Sequence, residues 1–218
     1  MPTQKSLKPL SLIISGVLAF MVTVVCGAAL ANDGRMLVLD AKTRQASLVG
    51  HLERLIDPDG VLDIKAVSSD HQASFEHLKA FRSGGYTSDV HWYRFTVIRS
   101  LDAPAEWVLD LGEPYLNEID IFLPTSDTGF QRVQLGDHVA MAGRALPGTR
   151  HALPLTLPEG QPVTIHIRVA TNSSLSFNGT IWHPNAFSST SIRSSFYYGT
   201  YLGGLGILIF IYFIFGIC

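Results

Sequence analysis

The chain has 218 residues, 16 of them Lys or Arg against 18 Asp or Glu, for a net charge of −2 with histidine neutral. With neither a basic stripe nor an acidic tail, recognition of nucleic acid through charge is excluded. The only cysteines, Cys26 and Cys218, lie in apolar terminal segments, so the middle has no disulfide framework and no thiolate metal site and must be held by packing.

Taken in order, Lys5 and Lys8 precede an apolar run, Leu10–Val25, and then small residues at Ala29 and Ala31. That is the form of a secretory signal over residues 1–31, with Asn32 as the new N-terminus after cleavage. An uncleaved anchor helix is the plainer alternative. Lipidation at Cys26 is disfavoured by the bulky Val25 before it. Either leading reading delivers the middle to the non-cytoplasmic side.

Met36–Leu39 is a short strand by its apolar run, and Leu48, Leu52, Leu55 and Ile56 recur at helical spacing. Asp57-Pro-Asp-Gly60 fits a type I turn. Val61–Val67 reads as a second strand, and Phe75, Leu78 and Phe81 as inward anchors of a polar stretch. Then period two takes over. Tyr93, Phe95 and Val97 share a face, as do Trp107, Leu109 and Leu111, and Ile119, Ile121 and Leu123. Leu153, Leu155 and Leu157 form another such set, and Val163, Ile165, Ile167 and Val169 a fifth. Alternation of this kind marks strands buried on one side. Gly/Pro turns between them, such as Gly112-Glu-Pro114 and Pro158-Glu-Gly160, predict an all-β, antiparallel β-sandwich of jelly-roll type. Phe187–Ser195 is serine-rich and reads as a link. From Ser194 to Cys218 there is no charge, and Gly199–Cys218 is long and apolar enough for a transmembrane helix. Gly199 and Gly203 stand four apart, a spacing that permits close helix contact.

Few residues carry chemistry. His71, Glu76 and His77 match no ligand motif and read as solvated surface. Glu118 and Asp120 share the polar face of a strand, whereas glycoside hydrolysis needs one carboxyl in an apolar pocket. No G-x-S-x-G elbow is present. No catalytic residue, metal ligand or cofactor is therefore expected. Aromatics in or beside strands are the better lead: Trp92, Tyr93, Trp107, Tyr115 and Trp182. Each is weighed against core packing. Arg144 and Arg150 flank a Pro-Gly loop near Asp137 and His138 and could form a polar rim, or simply a solvated loop. The candidate ligand-binding set is Trp92, Asp137, Arg144, Arg150 and Trp182.

Several strings together carry a family likeness. His91-Trp-Tyr-Arg-Phe-Thr96 leads to Trp107-Val-Leu-Asp-Leu111 and Tyr115-Leu-Asn-Glu-Ile-Asp-Ile-Phe-Leu123, then Gly136-Asp137. Leu153-Pro-Leu-Thr-Leu-Pro158, Thr164-Ile-His-Ile-Arg-Val169 and Trp182-His-Pro-Asn-Ala-Phe187 follow, before Tyr197-Tyr-Gly199 opens the apolar helix. From about Arg35 onward the chain resembles the bacterial 7TM-DISM receptors, seven-transmembrane receptors with diverse intracellular signalling modules, in their type 2 extracellular sensor domain. The resemblance implies a periplasmic jelly-roll similar to carbohydrate-binding modules. Beyond it would come a helix bundle in the inner membrane and a cytoplasmic output such as a diguanylate cyclase or histidine kinase. The expected organisation is a signal peptide over 1–31, a sensor domain over 32–187, a juxtamembrane linker over 188–196 and a first transmembrane helix over 197–218, with the chain cut off inside it. The expected ligand is a small molecule or glycan. A periplasmic protein–protein scaffold is the alternative, and a membrane-anchored carbohydrate-active enzyme the remoter one.

Overall fold

The computed structural model describes residues 36–80, 85–112, 116–139, 146, 150–172, 174–175 and 177–217. The expected signal segment, Phe81, Tyr115 and Arg144 lie outside them. The elements in order are β1 (Leu37–Leu39), β2 (Gln45–Ser47), β3 (Glu53–Asp57), α1 (Ile64–Ser68), a 3-10 turn (Gln72–Ser74) and β4 (Glu76–His77). The chain continues through β5 (Gly85–Tyr86), β6 (Val90–Arg99), β7 (Glu106–Asp110), β8 (Glu118–Pro124), β9 (Phe130–Leu135) and β10 (Ala152–Thr156). Last come β11 (Val163–Ala170), β12 (Ser174–Leu175), β13 (Thr180–Trp182) and α2 (Pro184–Ile217).

Two sheets face each other, as the alternation predicts. The larger runs β4-β3-β6-β11-β8-β9, with β1 paired in parallel to the end of β6; the smaller runs β10-β7-β13-β2. All other pairings within these two sheets are antiparallel. The odd-numbered residues of β6, β8 and β11 point inward against Trp107, Leu109, Leu111, Leu153, Leu155 and Ile181 of the smaller sheet. Burying such side chains supplies roughly 1.5–3 kcal/mol each, which is how a domain without disulfides holds together.

The other face of the larger sheet is not simply polar. Leu55, Val90, Trp92 and Phe122 form a second apolar cluster, closed over by Val67 of α1 with Leu62, Ile64 and Phe75 beside it. This corrects two expectations. The stretch 48–56 is not helical: Gly50, at φ +86°, turns the chain and His51 N–H donates to the Leu48 carbonyl, so the spaced leucines belong to a turn and a strand. Val61–Val67 is not a strand either. Asp57 Oδ2 accepts from Leu62 N–H at 3.0 Å, and Asp63 Oδ1 accepts from Ala66 N–H at 2.8 Å. An aspartate cap of that kind starts a helix and outweighs the strand preference of a few β-branched residues.

The membrane-proximal end also differs. Residues 188–196, expected as a linker, are helical and continuous with the apolar run, so α2 is one 34-residue helix. It begins directly after β13. Pro184 suits the first helical turn, where its missing N–H costs nothing. His183 accepts from Asn185 N–H through Nδ1 at 3.2 Å, and its carbonyl accepts from Phe187 N–H at 3.0 Å. Ser189 Oγ donates to the Asn185 carbonyl at 2.7 Å, so its hydroxyl bonds within the helix rather than competing with it.

Candidate ligand site on the outer face of the larger sheet

Register stacks the outward side chains of the larger sheet in rows. One row reads Leu55, Trp92, Arg168, Asp120 and Gln134 across β3, β6, β11, β8 and β9. The next reads Glu53, Arg94, His166, Phe122 and Arg132. A third pairs Thr96 with Thr164, and Pro124 with Phe130. The first row is closed at Asp120. Asp120, 4% exposed, accepts from Arg132 Nε and Nη2 at 2.9 Å each, with Arg168 Nη1 at 3.6 Å. Its carboxylate is spent on structure.

The second and third rows open into a cavity of about 680 Å³. Arg94, Thr164 and His166 form its floor; Phe130, Thr125 and Ser126 of the β8–β9 hairpin stand on one side. Ser68 and Gln72, from α1 and the turn after it, approach from another. The β10–β11 connection, with Thr156, Pro158 and Gln161, completes the wall. Arg99 pins that connection: its Nε donates to the Leu157 carbonyl at 3.0 Å and its Nη1 to the Ala103 carbonyl at 2.7 Å.

Two floor residues are unusual. Arg94 donates through Nε to Glu53 Oε2 at 2.5 Å and lies 4.2 Å over the Phe75 ring, a cation–π contact. Among the described residues no acceptor meets its two Nη groups. His166 is 5% exposed and stands edge-on to Phe75 and Phe130, with ring centroids 6.3 and 5.8 Å away. Its Nδ1 is buried without a hydrogen-bond partner among the described residues. Burial first, and then the Arg94 charge, push its pKa down from 6.5 to about 4. The imidazole is therefore neutral at physiological pH.

None of the described residues in the sequence-based ligand set lines this cavity. Trp92 is 1% exposed and stacks on Phe122 at 5.5 Å, so its ring packs the second core. Asp137 accepts from Asn117 Nδ2 at 3.2 Å at the far end of β9. Arg150 clamps Asp110, with Nη2 to Oδ2 at 2.7 Å and Nε to Oδ1 at 3.1 Å, on the outer face of the smaller sheet. Trp182 lies on that same face, two positions along β13 from the residue paired with Asp110, and its ring meets Phe187 of α2 at 6.5 Å. Arg144 is outside the described residues. Arg94 and His166 were passed over because each sits at a polar position of an alternating strand, where a solvated side chain is the ordinary expectation. Only the pairing of β3, β6 and β11 reveals that they are covered.

The family model for the 7TMR-DISM extracellular 2 domain matches residues 49–183, from the turn before β3 to the residue before α2. The chain belongs to the 7TMR-DISM extracellular 2 family. This family's domain is the extracellular sensor part of a membrane receptor. Here it is followed by a helix, Pro184–Gly216, long and apolar enough to cross a bilayer. No curated protein matches the chain. Among solved structures it is similar to a putative β-galactosidase from Bacteroides fragilis, at 9% identity and a TM-score of 0.36, over 63% of this chain and 23% of that one. It is also similar to a Ruminococcus gnavus β-glucuronidase, at 8% identity and a TM-score of 0.37, over 69% of this chain and 30% of that one. The chain thus spans less than a third of either enzyme.

Proposed function

We propose that this 7TMR-DISM extracellular 2 domain is the ligand-sensing part of a bacterial inner-membrane receptor, facing the periplasm. The larger sheet's outer cavity takes a small molecule or glycan. Signalling passes down α2 to further membrane helices and a cytoplasmic output module beyond this chain. One observation carries the reading: a single residue, His183, separates the last strand of the sandwich from the long apolar helix. β13 ends at Trp182, His183 caps the next turn, and α2 runs unbroken to Ile217. Trp107 meets His183 edge-on at 6.0 Å, and Trp182 meets Phe187 at 6.5 Å, so rings from the smaller sheet grip the helix base. A ligand can bias such a receptor only by binding its two arrangements unequally. A rigid helix carries that bias, whereas a loose tether would dissipate it.

The test is a flexible Gly-Ser insert of four residues after Ser188 in the full receptor. The expected result is loss of ligand-dependent output with ligand affinity unchanged. Output that survives the insert at full strength contradicts the proposal.

A further inference from the structure

Resting on the reading of the cavity as the sensor's ligand site, we infer that its ligand is a small organic acid, a carboxylate on an apolar body, held by the free fork of Arg94. Three observations converge. Arg94 is oriented before any ligand arrives, through Nε to Glu53 and through its stack on Phe75. With Nε engaged, the two Nη groups remain as donors without a protein acceptor among the described residues. A planar guanidinium with its paired N–H groups left over beside a cavity matches a carboxylate bidentately, which a lysine would not.

The wall decides the sign of the charge. Among the described residues lining the cavity, Arg94 is the one charged side chain; the rest are apolar, hydroxyl or amide groups and the neutral His166. A cationic ligand would find no carboxylate in the lining, because Glu53 is engaged by Arg94 Nε and does not face the cavity. Phe130, Pro158 and Pro162 supply apolar surface, and Thr164 and Thr125 supply hydroxyls. A volume of about 680 Å³ is that of a small-ligand pocket, not a peptide groove. Unlike a neutral sugar, an organic acid would use the one charge the wall provides.

The experiment measures binding to the full chain in nanodiscs by calorimetry. The probes are hexanoate and benzoate, their uncharged counterparts hexanamide and benzamide, inorganic phosphate, and maltose. The expected result is binding of at least one acid, with its amide at least tenfold weaker. Arg94→Lys then loses about tenfold, because it keeps the charge but not the fork. Arg94→Gln alone would take the Arg94 partner from the Glu53 carboxylate, so Glu53→Gln with Arg94→Gln is the companion variant. It should melt as a folded domain and lose the acid–amide distinction altogether. Amides binding as tightly as acids, acid binding indifferent to the double variant, or no acid binding at all each overturn the inference. So does phosphate or maltose binding in preference to the acids. Binding of maltose that is lost on changing Thr164 to Val would overturn the ligand class while leaving the cavity as the sensor site. Acid binding that leaves receptor output unmoved would uphold the class and sink the signalling role.

Discussion

At the scale of single residues, His166 shows how far burial governs behaviour. Its pKa is held near 4 in the folded protein against 6.5 when free. Between those values the unfolded chain binds a proton that the folded one refuses, so stability falls as pH drops through that window and is flat above it. The loss amounts to about 3 kcal/mol by pH 4. His91, also buried and pushed down by burial and by Arg54, adds in the same direction. Denaturant melts at pH 7, 5.5 and 4 should show this slope, and His166→Gln should flatten much of it. Gly136 is the second informative residue. At φ +127° a Cβ would lie 2.2 Å from the Asn117 carbonyl oxygen, so Gly136→Ala should destabilise by well over ~1 kcal/mol, read by thermal unfolding. The Gly136-Asp137 pair stands out in the sequence, yet its meaning there is ambiguous. The structure explains the glycine by close backbone approach, and ties Asp137 to Asn117. Trp92 teaches the same lesson in reverse: an aromatic at an outward strand position is no evidence of exposure when another element covers the sheet.

At the scale of elements, strands with clean alternation were legible because one face of each is apolar. β6, β7, β8, β10 and β11 fall where Tyr93–Val97, Trp107–Leu111, Ile119–Leu123, Leu153–Leu157 and Val163–Val169 place them. β9 was not, because Phe130-Gln-Arg-Val-Gln-Leu135 alternates weakly and makes sense only beside β8, where Arg132 finds Asp120. α1 was missed because its five residues are too few for a period to emerge, and its start is written in the Asp63 cap instead. That cap is testable. Asp63→Ala should cost about 1 kcal/mol in unfolding free energy. Because Ser68 and Gln72 line the cavity from this cap, it should also weaken ligand binding by more than a surface change such as Lys42→Ala. Equal affinity in both variants would show that the cap does not shape the site.

At the scale of the whole molecule, the sequence announces both a sandwich and an apolar tail, but not that the short link between them is helical. Serines from Ser188 to Ser195 look like a linker by composition; helical hydroxyls that bond within the helix, as Ser189 does, leave that composition compatible with rigidity. At 1.5 Å per residue the 34 residues of α2 extend about 51 Å, well beyond a ~30 Å hydrocarbon core. Arg193 is the last charge, and Tyr197, Tyr198 and Tyr201 follow as exposed rings of the kind that settle at a membrane interface. In a receptor whose α2 crosses a bilayer, the first two or three turns of the helix would stand clear of the lipid as a stalk. The most direct measurement is hydrogen–deuterium exchange along residues 185–200 of the full chain in nanodiscs. A continuous rigid stalk predicts slow exchange through 188–196, protected as helix although in water. Exchange of those amides within seconds, at the rate of an unstructured chain, would contradict a sensor joined stiffly to its membrane helix.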